Sequence, residues 1–141
     1  MSNEMSWKEC VRQGIITDAD SDIERSKQMV QMAELRLKFW VRKISDEFVV
    51  LKIEAYYDII KELIFANLYK DGYNCTNHLC LIAYLSQKMD GFDFEIQKID
   101  ELRILRNDIN YRGLSVRKDY LERNELEFRN IIDRLKAELE K

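Results

Sequence analysis

A chain of 141 residues is the length of one domain, 1–141, able to bury roughly 68% of its unfolded surface. With no proline, four glycines and 46% hydrophobic residues, it is poor in turn formers and rich in helix formers, which predicts an all-α protein with short connections. A net charge of −3 excludes a broadly non-specific nucleic-acid binder while leaving room for a local basic patch.

Residues 4–14 form a short amphipathic opening, with Trp7 and Val11 at i, i+4 and Gly14 ending the turn. The opening has no positive region followed by an apolar core, so no secretion signal is expected and the protein should be cytoplasmic. Asp18 to Asp22 supply acids and a serine that cap the second helix, which runs to about Ile44. Ile23, Val30, Ala33, Leu37, Trp40 and Ile44 make its apolar seam.

A turn over residues 44–47 starts a third helix reaching Lys70, where Asp71-Gly72 stops it. It is apolar on nearly all sides, apart from a narrow polar strip through Glu54, Asp58 and Lys61. Such a helix must be central, or must also face a second subunit. Its charges are too frequent for a membrane span. Thr76 or Asn77 caps a fourth helix that runs to about Met89 and turns Leu79, Ile82, Ala83 and Met89 inward. Gly91 ends it. Asp93 begins the approach to the next helix, and a last one runs from about Asp119 to Leu139 on a seam of Leu121, Phe128, Ile132, Leu135 and Leu139. The fold expected is an up-and-down bundle of four main helices with short additional ones.

The stretch 102–113 concentrates the chemistry. Ile99, Leu102, Leu105 and Ile109 form an apolar stripe, with Arg103, Arg106 and Asn110 on its flank and Asn107 and Tyr111 as an i, i+4 pair beside them. Residues 102–118 hold five Arg or Lys against Asp108 alone, about +4 in an acidic chain. One reading has the arginines covering the helix rim with their stems while Asn110 caps the end. The other makes the edge a site.

Arg106-Asn107 followed by an aromatic at Tyr111 resembles the signature helix of the HEPN superfamily, whose motif is Arg, a polar residue, three more residues and His. Tyr56-Tyr57 on a helix ending in Gly72-Tyr73, and Asn77-His78 at the start of the next, are similar to further features of that family. The resemblance implies a homodimer in which two such helices form a cleft that cuts RNA without metal, in some members as a toxin paired with a nucleotidyltransferase-type antitoxin. Arg106, Asn107 and Tyr111 would be catalytic, and Arg103, Asn110, Arg112 and His78 would bind substrate. In that chemistry a base deprotonates the 2′-hydroxyl, and arginine stabilises the charge of the transition state. Tyrosine in the histidine's place loses a factor of about 10³ in base fraction at neutral pH. Tyr111 could instead donate a hydrogen bond or proton, or stack on a base, with His78 or water accepting the proton. The alternative is a non-catalytic module that binds nucleotide, RNA or a partner protein through the same basic edge.

The remaining candidates are weaker. Cys75, His78 and Cys80 do not have the spacing of a zinc half-site, and neither metal nor cofactor is expected. Three cysteines without a secretion signal read as reduced thiols. Asp58 and Glu62 at i, i+4 read as part of a solvated strip rather than a catalytic carboxylate pair.

Overall fold

The computed structural model describes residues 5–113 and 115–141. The fold is all-α, with helices α1 (Trp7–Arg12), α2 (Ile23–Arg36), α3 (Val49–Asp71), α4 (His78–Lys88), α5 (Asp93–Arg112) and α6 (Lys118–Leu139). Glu4, at the edge of the predicted opening, lies outside the described residues. Four long helices make the body, and α3 is its axis, packing on α2, α5 and α6 and also on α4. Ile53, Tyr56, Ile59, Ile60, Leu63 and Leu68 of α3 are fully buried, as expected for a helix apolar around its circumference. No helix among the described residues is long and apolar enough to cross a membrane.

The caps explain where the elements stop. Asp22 and Asn77 open α2 and α4 by accepting from the backbone N–H groups of Arg25 and Cys80, each at 2.9 Å. Gly72 closes α3 at φ 85°, in the left-handed region, and its N–H donates to the carbonyls of Leu68 and Tyr69. A Cβ there would meet the carbonyl oxygen of Ala19 at 2.7 Å. That closeness follows from a two-stranded antiparallel sheet, β1 (Ile16–Asp18) on β2 (Tyr73–Cys75), with Ile16 opposite Cys75 and Asp18 opposite Tyr73. Strands of three residues have no readable period, which is why the sequence shows them only as a lead-in and a turn.

Several expectations are corrected by the packing. Val11 is 47% exposed, and Cys10, not Val11, fastens α1 to the body. The seam of α2 holds at Ala33 and, half-buried, at Val30 and Leu37, but Trp40 turns outward and Val41 is buried in its place. The cause is a π-helical stretch at Leu37–Val41, whose i to i+5 bonds insert a residue into the turn and rotate the face. Ile23, at the other end of the seam, also points outward.

Cys10 and Cys80, read as reduced thiols, are joined in a disulfide with Cα atoms 5.8 Å apart, leaving Cys75 as the free thiol. The partners lie 70 residues apart, and linear spacing carries no trace of such a pair. Glu62 is not solvated either. It accepts from Arg36 Nε at 2.7 Å across the α2–α3 contact, and burial raises its pKa despite the arginine.

Candidate functional site

Three helices bring ionisable groups to one place. α3 contributes Tyr57, Asp58 and Lys61, α4 contributes His78 as its first residue, and α5 contributes Asp100, Arg103 and Arg106 at successive i, i+3 positions. The apolar stripe of α5, through Ile99, Leu102 and Ile109, is buried, so the flanking arginines are held at the rim beside α3. A shallow cleft of about 10 Å³, room for one water, is lined by Tyr57, Lys61, His78 and Arg103 with mostly apolar walls, and Arg106 lies at its edge over the Tyr57 ring rather than in its lining.

Tyr57 is the hinge of the arrangement. Its hydroxyl lies 3.2 Å from Nδ1 of His78, and the Arg106 guanidinium sits over its ring at 5.2 Å from the centroid. Burial raises the Tyr57 pKa, against the pull of Arg106 and Arg103, so the phenol is protonated at neutral pH. Burial also lowers the pKa of His78, and the positive charges of Lys61, Arg103 and Arg106 push it the same way. The imidazole is therefore neutral at pH 7. With Nδ1 occupied by Tyr57, Nε2 is the ring's remaining polar atom.

The arginines are differently committed. Nε of Arg103 donates to Asp100 at 2.9 Å, an ordinary i, i+3 ion pair. Arg106 reaches Asp58 only at 3.8 Å, beyond hydrogen-bond distance, and among the described residues its buried Nε has no hydrogen-bond partner. A partly exposed guanidinium held only loosely by its acid, next to two more cations and a neutral histidine, is suited to an anion that accepts several hydrogen bonds, such as phosphate. Among the described residues, no group of three or more His, Cys, Asp or Glu could hold a metal ion.

Of the residues singled out in the sequence, the structure gathers Arg103, Arg106 and His78. It does not bring Tyr111 to Arg106. Five residues apart on a helix, their side chains diverge by roughly 140° around the axis, and Tyr111 is 86% exposed. Asn107 is half-buried on α5, Asn110 is exposed, and Arg112 is an exposed residue whose nearest acid is Asp108 at 3.9 Å. Asn110 does not cap α5; Gly113 does, at φ 64°.

Sequence reasoning missed Tyr57, Asp58, Lys61 and Asp100 as members of the site. The available signal was the polar strip through Asp58 and Lys61, which interrupts an otherwise buried helix. No family model, curated protein or solved structure matches the chain.

Proposed function

We propose that the chain is a HEPN-like module that binds the phosphate of RNA or a nucleotide at the cleft between α3, α4 and α5, with Arg106 as the principal ligand and Arg103, Lys61 and His78 around it. The observation that carries this reading is the loose contact of the partly exposed Arg106 guanidinium with Asp58, 3.8 Å at a terminal nitrogen, among the further positive charges of Arg103 and Lys61. An incoming phosphate oxygen would bond those terminal nitrogens, and the charge-assisted bond is worth about 1.5–3 kcal/mol.

A cleaving role is the second reading, favoured by one observation: the neutral state of His78 gives the cleft a proton acceptor that Tyr111 does not supply. In that case the protein is a metal-independent ribonuclease, and a toxin of this type would pair with a nucleotidyltransferase-type antitoxin. Both readings include a homodimer. Met32, Leu35 and Phe39, spaced at three and four residues, are outward apolar residues of α2 and its π-helical extension, available to a second copy.

The test is equilibrium binding of a labelled single-stranded RNA and of a mononucleotide, followed by incubation of the RNA in a chelator. Arg106→Ala should weaken binding about tenfold or more, as expected for loss of a charged hydrogen bond, and Arg106→Lys should restore only part of it. Binding equal to wild type in Arg106→Ala would remove the cleft from consideration. Cleavage by wild type that is lost in His78→Ala and retained in Tyr111→Phe would select the second reading.

A further inference from the structure

All three cysteine sulfurs of the protein converge on the turn that presents His78. Cys80, in the first turn of α4, is bonded to Cys10 of α1, and both are completely buried. The thiol of Cys75 donates to the carbonyl oxygen of Asn77 at 3.1 Å, while the Asn77 side chain accepts from the N–H of Cys80 at 2.9 Å. His78 therefore lies between Asn77, held on both its backbone and its side chain, and Cys80, held through its sulfur. Its ring leaves this turn to meet Tyr57 at 3.2 Å.

The other end of the disulfide is an element that cannot stand alone. α1 has six residues, too few to be helical without tertiary support. It packs on α4 and β1, with Trp7 edge-on to Tyr73 at 5.1 Å and beside Tyr84 at 6.2 Å. The covalent link and this aromatic contact hold it in place. Lys8 and Arg12 lie on its exposed side.

We propose that the Cys10–Cys80 disulfide is a redox latch: oxidised, it clamps α1 onto α4 and fixes His78 against Tyr57; reduced, it releases α1 and loosens the turn that carries His78. The reductant is a small dithiol, which reaches the buried Sγ–Sγ bond through transient opening of the short α1. Its two thiols give up two electrons and two protons and leave as a cyclic disulfide, the Sγ–Sγ bond breaks, and Cys10 and Cys80 each gain one hydrogen. The coupling to ligand affinity rests on the phosphate-binding reading given above; the release of α1 and the change at His78 do not.

Those two parts have separate readouts. Air-oxidised protein should titrate one free thiol when denatured without reductant, and dithiol-treated protein three. Reduction should speed tryptic cleavage after Lys8 and Arg12 at least tenfold, with helical circular dichroism retained. His78 is the single histidine, so its imidazole resonance is unambiguous. That resonance should shift on reduction, with its titration midpoint moving up toward the ordinary histidine value, and reoxidation should reverse both changes.

Cys10→Ser should behave as the reduced form in either buffer, while Cys75→Ser should keep the redox response. Three free thiols in oxidised protein, or full reduction with unchanged cleavage and an unchanged His78 resonance, would overturn the latch. Faster cleavage with an unmoved resonance would overturn its link to His78. Pyrophosphate, used as the probe, should bind at least fivefold more weakly after reduction. If oxidised protein binds none, the phosphate-binding reading fails, while proteolysis and the His78 signal still decide the latch.

Discussion

His78 couples pH to two quantities in opposite directions. Its pKa in the fold is lowered, first by burial and then by Lys61, Arg103 and Arg106. Between the folded and unfolded values the unfolded chain binds more protons, so this residue's contribution to stability is present above the ordinary histidine value and is lost as pH falls through the window to the lower folded value. The difference in urea midpoint between wild type and His78→Gln should therefore shrink as pH drops from 7 toward 5. Ligand binding should move the other way. Protonation adds a positive charge to the cleft, so affinity for a phosphodiester dinucleotide should rise over the same interval in wild type and stay level in His78→Gln. A stability difference independent of pH would show that His78 is not depressed by its surroundings. At this scale charge and helical spacing mark Arg103 and Arg106 in the sequence, whereas His78 is singled out only by the likeness of Asn77-His78 to a family feature. Tyr57, Lys61 and Asp100 are not marked as part of the site, since their place beside those residues comes from the crossing of α3 with α4 and α5, and no local pattern encodes that crossing.

Gly72 ties two elements together, and its role separates into a backbone part and a contact part. A side chain in the left-handed region costs about 1–2 kcal/mol, and a Cβ at this position would also press on Ala19 O at 2.7 Å, a backbone atom held by its own N–H to Gly72 O at 2.8 Å. Gly113 has a similar φ, 64°, with nothing within 4 Å of the site of a Cβ. Gly72→Ala should therefore lower the unfolding free energy by more than Gly113→Ala does, with the excess reporting the β1–β2 contact. Equal losses in urea denaturation would mean that the sheet yields freely. Helix ends were legible for the same reason that these glycines matter: Gly72 and Asn77 act within their own turns. The π-helical turn at Leu37–Val41 was not. Nothing in that run marks an added residue, and its effect is seen only in which of Trp40 and Val41 is buried.

At the scale of the whole molecule, the apolar circumference of α3 is accounted for within one chain, because α2, α4, α5 and α6 cover it. The surface left open to a second copy is then the outer face of α2, not α3. Met32, Leu35 and Phe39 are 43–50% exposed there, with Trp40 just beyond and Phe48 and Leu51 outward near the start of α3. Covering the exposed half of such side chains gains roughly 1 kcal/mol each, and six from each of two copies give about 12 kcal/mol, against an association cost of about 4–15 kcal/mol. That face alone does not make a tight dimer. Sedimentation should accordingly show a concentration-dependent equilibrium in the micromolar range or weaker, and Leu35→Glu or Phe39→Glu should each leave a monomer with an unchanged unfolding midpoint. If the charge variants remain dimeric, a different surface joins the copies. If wild type is monomeric at high micromolar concentration and still binds RNA, binding that Arg106→Ala weakens, the cleft works within one chain.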